Sequence, residues 1–241
     1  LETRTNVEVV VRYEWRGHKP MEDYVKVNFM GKNDVVWSSM KPEYWVDKWY
    51  DPRDNYMVVA AFVTPNNETV KQLSGIVSGS LAARYTDNDA LAAFANTFYA
   101  LRNLGIRYTS PPTFKMEGED VQFLNYPGET IANREGTCIE LAATMAAVME
   151  ASGVKSYISL VPGHAFPLIR LPESRDIVAM ESTFLDRDYT LSHYPGLTSP
   201  EVSAEDAVNM GMRELQENYE QGTLILVDIQ KWWEAGVVPP W

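Results

Sequence analysis

Residues 137–152 read Thr-Cys-Ile-Glu-Leu-Ala-Ala-Thr-Met-Ala-Ala-Val-Met-Glu-Ala-Ser, and they predict the clearest helix in the chain. Thr137 is a good N-cap, and Glu140 three residues later completes a capping box. Alanine- and methionine-rich content sustains the helix, Leu141, Met145, Val148 and Met149 share a face, and Gly153 stops it. Apolar runs at 156–162 (SYISLVP), 164–171 and 177–185 (IVAMESTFL) then read as strands.

Upstream of this block, 67–83 suits a helix through Val70, Leu73, Ile76 and Val77. A second helix is expected over 89–104, capped by Asp87 or Asp89 and ended by Gly105, with Leu91, Phe94, Phe98, Leu101 and Leu104 on one face. Residues 106–132, with Pro111, Pro112, Gly118, Pro127 and Gly128, read as a long irregular stretch, and such loops are often functional. The first sixty-odd residues offer strands at 6–14, at 23–30 with one solvated face, and at 56–63. Downstream, Ser203 with Glu205 and Asp206 opens a helix to about Tyr219, and 223–227 is a short strand. This order of strands, helices, then a helix followed by antiparallel strands predicts α+β architecture. The expected division is an N-terminal β region, residues 1–64, and a second unit, residues 65–241.

The chain has 241 residues, 45% of them hydrophobic and 22% charged, which excludes a disordered or collagen-like polymer. Its net charge of −12 argues against binding nucleic acid, which requires a basic face. No apolar run reaches the length of a membrane span. Cys138 is the single cysteine, so no intrachain disulfide forms. With His18, His164 and His193 as the only histidines, the common four-ligand zinc site lacks ligands unless carboxylates join.

A lone thiol is either buried filler or a nucleophile. Cys138 occupies the first helical position, where unpaired amides and the helix dipole favour a thiolate, the form a cysteine nucleophile needs. His164, 26 residues on, follows the turn Val161-Pro162-Gly163, and a neutral imidazole within reach of a thiol can take its proton and return it to a leaving group. Glu181 lies in the apolar segment Ala179-Met180-Glu181-Ser182-Thr183, where a buried carboxylate needs a partner and a histidine on a neighbouring strand supplies one. Alternation leaves the side of the strand that Glu181 takes undecided. His18 and His193 read as structural.

The order of cysteine at a helix start, histidine on one strand and acid on the next resembles the transglutaminase-like superfamily, whose fold is papain-like. The resemblance runs from Gln122 to Thr183 through the Gly136-Thr137-Cys138 helix start, the Leu160-Val161-Pro162-Gly163-His164-Ala165-Phe166 strand and the Ala179–Thr183 segment. More weakly it covers 65–190, including Leu104–Tyr108, and the histidine strand is similar to that of prokaryotic members. It implies Cys138 as nucleophile, His164 as acid and base, and Glu181 as the orienting acid. It also implies Gln122 as a donor to an oxyanion, together with the Cys138 backbone N–H. Thr137 and Glu181 stand where relatives more often carry Asp, and Pro167 obliges its strand to lie at an edge or carry a bulge.

The expected chemistry is cysteine-dependent acyl transfer or amide hydrolysis on a protein or peptide substrate, with no cofactor and no metal. The competing reading is a silent binding or scaffold module using Trp37, Trp45, Trp49, Trp232, Trp233 and Trp241. A redox sensor is a poor third, since no second cysteine resolves an oxidised thiol. Calcium-dependent crosslinking would draw on Glu117, Glu119 and Asp120, more simply a solvated charge run. The start at Leu1 and the Asn67-Glu68-Thr69 sequon lean toward an extracytoplasmic domain.

Overall fold

The computed structural model describes residues 5–38, 55–79, 86–110, 121–194, 196 and 202–239. In chain order its elements are β1 (Thr5–Tyr13), β2 (Met21–Phe29), β3 (Asp34–Val36), α1 (Glu68–Ser78), α2 (Asp87–Asn103), β4 (Arg107–Tyr108), β5 (Val121–Phe123), α3 (Pro127–Asn133), β6 (Glu135–Gly136) and α4 (Cys138–Ala151). There follow β7 (Ser156–Val161), β8 (His164–Arg170), β9 (Ile177–Ala179), α5 (Arg187–His193), α6 (Ala204–Gln221), β10 (Ile225–Asp228) and α7 (Ile229–Glu234). Short 3-10 helices occupy Tyr56–Phe62 and Ser182–Leu185. The architecture is α+β, helices packed on antiparallel strands, with one short parallel pair between β4 and β6.

Helix α4 is the axis of the core. Every residue from Ile139 to Met149 is buried, so the helix has no solvent face. The alanines away from Leu141 and Met145 let α1, α2, α3, β7 and β8 close around it. Beside α4 lies an antiparallel sheet of order β10-β7-β8-β9. Ile158 and Ile169 join the core that holds α4, while Tyr157, Phe166, Leu168 and Ala179 form a second cluster covered by Leu215 of α6. The sheet is thus sandwiched between α4 and α6.

Several expectations change. The apolar run 56–63 is a 3-10 helix rather than a strand. Val59, Ala60 and Phe62 turn into the core, and Trp233 Nε1 donates to the Ala60 carbonyl at 2.9 Å. Short apolar runs do not distinguish strand from buried helix. The expected strand at 23–30 with one wet face pairs with β1 as a hairpin exposed on both faces, Val10 and Val25 included. Thr86, not Asp87 or Asp89, caps α2, and Asp89 is the return arm of its capping box. Within the irregular stretch 106–132, Pro127 opens the short helix α3. The strand expected over 177–185 ends at Ala179.

Pro167 bears out half of its expectation. Strand β8 is internal to the sheet, but β9 pairs only with Leu168–Arg170. On that side, among the described residues, no strand continues alongside His164–Pro167, where a missing amide would otherwise break the ladder. Trp45, Trp49, Trp241, Glu117, Glu119 and Asp120 lie outside the described residues.

A two-stranded ribbon without a covering layer is marginally stable. Hydrogen exchange should therefore show β1–β2 amides exchanging at least ~100-fold faster than those of β7–β8. Equal protection would mean that the hairpin is covered in solution.

Candidate active site

Cys138 begins α4 because Thr137 adopts an extended cap conformation and Glu140 Oε2 accepts the Thr137 backbone N–H at 2.6 Å. The Thr137 hydroxyl itself makes no hydrogen bond of full geometry. The buried Glu140 carboxylate also accepts from the backbone and side-chain nitrogens of Asn125, at 2.6 and 2.9 Å. It thereby ties the chain just after β5 to the first turn of α4. The thiol is half-buried.

His164 enters β8 from a two-residue turn, in which Gly163 takes φ 75 and Val161 pairs with His164. Pro162-Gly163 suits a turn requiring positive φ at its second central residue. The imidazole Nε2 bonds Glu181 Oε2 at 2.7 Å. The Cys138 side chain lies close enough to the ring to act on its titration as well. Burial disfavours the charged ring, but its interactions with Cys138 and Glu181 outweigh it, and the imidazole pKa is pushed up to about 11.

Glu181 is fully buried, and no strand carries it. Beyond Ala179, Met180 N–H donates to the Pro167 carbonyl and Glu181 N–H to the Ala207 carbonyl of α6. The Glu181 side chain then caps the 3-10 helix, accepting from Thr183 N at 2.8 Å and from Thr183 Oγ1 at 2.7 Å. One carboxylate oxygen serves Thr183 and the other serves His164.

The sequence reading missed Glu214. It lies on α6, in the helix expected only as a C-terminal addition, with Oε2 3.8 Å from His164 Nε2. Burial first, then the Glu181 charge, raise its pKa above the ordinary carboxylate range, against a lowering by His164. Gly211, one turn earlier, permits this approach. A Cβ there would sit 2.7 Å from Met180 N and 2.8 Å from its Cα and carbonyl carbon. The facing donor atoms of His164, Glu181 and Glu214 all lie within 4.8 Å of one another. A proton already bridges Nε2 and Glu181, and Thr183 fills the other oxygen, so we read the cluster as proton-sharing.

Tyrosines surround the cluster. Register between β4 and β6 sets Tyr108 beside Gly136, two residues before Cys138. Its ring lies 4.4 Å from that of Tyr189, and Tyr194 packs on Phe184. Burial, then nearby negative charge including Cys138 or Glu181, keeps Tyr108, Tyr189 and Tyr194 protonated.

Gln122 sits on β5, and Trp37 Nε1 donates to its Oε1 at 3.0 Å. An indole nitrogen only donates, so the Gln122 amide nitrogen must point the other way. No hydrogen bond joins Gln122 to Cys138 among the described residues. His18 is exposed beside Trp15, and His193 bonds Ser192 and the Tyr189 carbonyl and stacks on the outer side of the tyrosine group through Tyr189. Asn67 caps α1. Among the described residues no helix is long and apolar enough to cross a membrane.

No protein-family model matches the chain, and no curated protein matches it. Two solved structures are similar in part. One is from Cytophaga hutchinsonii, provisionally named a cysteine protease, with 12% identity, TM-score 0.36, and coverage of 76% of this chain and 65% of that one. The other is from Parabacteroides distasonis, provisionally named a protease, with 8% identity, TM-score 0.36, and coverage of 73% and 37%. The chain thus spans less than two thirds of either.

Three measurements check the geometry. Imidazole NMR should find His164 still charged at pH 8, where an ordinary histidine is neutral. Because its folded pKa is raised, the stability margin of wild type over His164→Ala in urea should be full below about pH 6.5 and shrink as pH climbs toward 11. Gly211→Ala should cost about 1–3 kcal/mol in urea unfolding, since the added methyl meets backbone.

Proposed function

We propose that this chain is a cysteine-dependent hydrolase or acyltransferase acting on amide or peptide bonds. The observation that carries the reading is the imidazole of His164 held at 2.7 Å by the buried Glu181, with the Cys138 side chain near enough to act on the same ring. The resemblance to the transglutaminase-like superfamily supports the same assignment of Cys138, His164 and Glu181.

The Cys138 sulfur attacks the substrate carbonyl carbon, and the C=O electron pair moves onto oxygen. The Cys138 backbone N–H, unpaired at the helix start, and the Gln122 amide receive that oxyanion. Trp37 holds the Gln122 amide in its donating orientation. As the tetrahedral adduct collapses, the C–N bond breaks and the imidazolium of His164 gives its proton to the leaving amine. The thioester then meets water or a second amine, which the neutral ring deprotonates, and the C–S bond breaks. Throughout, Glu181 fixes the ring through Nε2 and balances its charge. Water makes the protein a peptidase or amidase, and an amine makes it a transferase.

The test is thiol reactivity. Iodoacetamide should label Cys138 rapidly at pH 6–7 in wild type and at least ~10-fold more slowly in His164→Ala. Equal rates in both proteins would overturn the acyl-transfer reading and favour a binding module.

A further inference from the structure

Glu214 has no part in the scheme above, yet it presents a second carboxylate to the same ring nitrogen that Glu181 engages. We propose that Glu214 is a positioning residue that, together with Glu181, holds the His164 imidazole in its charged, sulfur-facing form. This rests on the reading of Cys138 and His164 as a reactive pair.

The argument is geometric. At 3.8 Å the Glu214 oxygen is too far to share the Nε2 proton, which Glu181 takes at 2.7 Å, but it is within ion-pairing distance. Its side chain is 23% exposed and the imidazole 22%, so water screens the pair only partly. Among the described residues its ion-pair partner is His164. The groups that face Glu214 are His164 from β8, Glu181 from the segment after β9, Tyr189 and Tyr194 from α5 and its end, and Glu217 from α6 itself. Helix α2 brings Tyr99 and Arg102 to the start of α6, but the Tyr99 hydroxyl accepts from Ala204 N–H and Arg102 donates to the Val202 and Phe184 carbonyls. The cluster therefore sets two carboxylates and a sulfur around one cation.

The approach is built into the backbone. Gly211 brings α6 against Met180, and the Ala207 carbonyl of the same helix takes the Glu181 N–H at 2.8 Å. One helix thus fixes Glu181 through its main chain and supplies Glu214 from its side. A cation between the carboxylates relieves like-charge repulsion across this short gap, and His164 is placed to be that cation.

The experiment compares wild type with Glu214→Gln, Glu214→Asp and Glu217→Gln. It follows the His164 imidazole by NMR and the iodoacetamide rate at Cys138 across pH 5–11. Glu214→Gln should lower the imidazolium titration midpoint by about one pH unit or more. The high-pH limb of the alkylation profile should move with it. Glu217→Gln, which removes the same charge from the same helix, should shift either by no more than a few tenths of a unit. Glu214→Asp, which keeps the charge, should stay nearer wild type than the glutamine variant, and it tests the proposal if Glu214→Gln does not fold. A charged His164 in wild type that titrates unchanged in Glu214→Gln, or in Glu214→Asp an imidazole shifted as far as in a His164 lacking any second carboxylate, would overturn this proposal alone. An imidazole of ordinary pKa in wild type, with a sluggish thiol, would overturn the Cys–His reading and this proposal with it.

Discussion

A carboxylate with no exposed surface is the constraint on which the site depends. Glu181 has lost its water, and only the hydrogen bonds it accepts make its charge tolerable. Thr183 supplies two and His164 the third. Removing any donor leaves a buried charge short of a partner, so the imidazole is held where it is by the need of the acid as much as by its own strand. That need also explains why burial fails to neutralise the ring. Desolvation acts on histidine and glutamate alike, and their hydrogen bond at 2.7 Å compensates both.

The architecture serves this contact from two sides. Helix α4, buried from Ile139 to Met149, carries the candidate cysteine at its first position, and a second carboxylate, that of Glu140, connects the helix start to the chain following β5. Helix α6 closes from the opposite face of the sheet and takes hold of the main chain at Glu181. Each candidate side chain therefore arrives from a different element.

What was legible in the sequence was local. The Thr137 and Glu140 cap, the turn at Pro162-Gly163 and the α+β order all depend on neighbours a few residues apart, and the chain writes these down directly. The pairing of His164 with Glu181 was foreseeable because a carboxylate in an apolar segment demands a cation. The segment carrying Glu181 was misjudged as a strand to 185, because its exit toward α6 is decided by the Ala207 carbonyl, a tertiary partner that no periodicity reveals. Glu214 was invisible for the same reason. On an exposed-looking helix it is one acid among several, and only the absence of a side chain at Gly211 distinguishes its face. The run 56–63 failed because eight apolar residues carry no period long enough to separate a buried 3-10 helix from a strand.

A last consequence concerns Cys138. It is anchored at the tip of a helix with no watery side along which to fray, enclosed by three other helices and two strands. Fraying there would bare the buried side chains from Ile139 onward, so the seat of Cys138 is coupled to the packing of the interior.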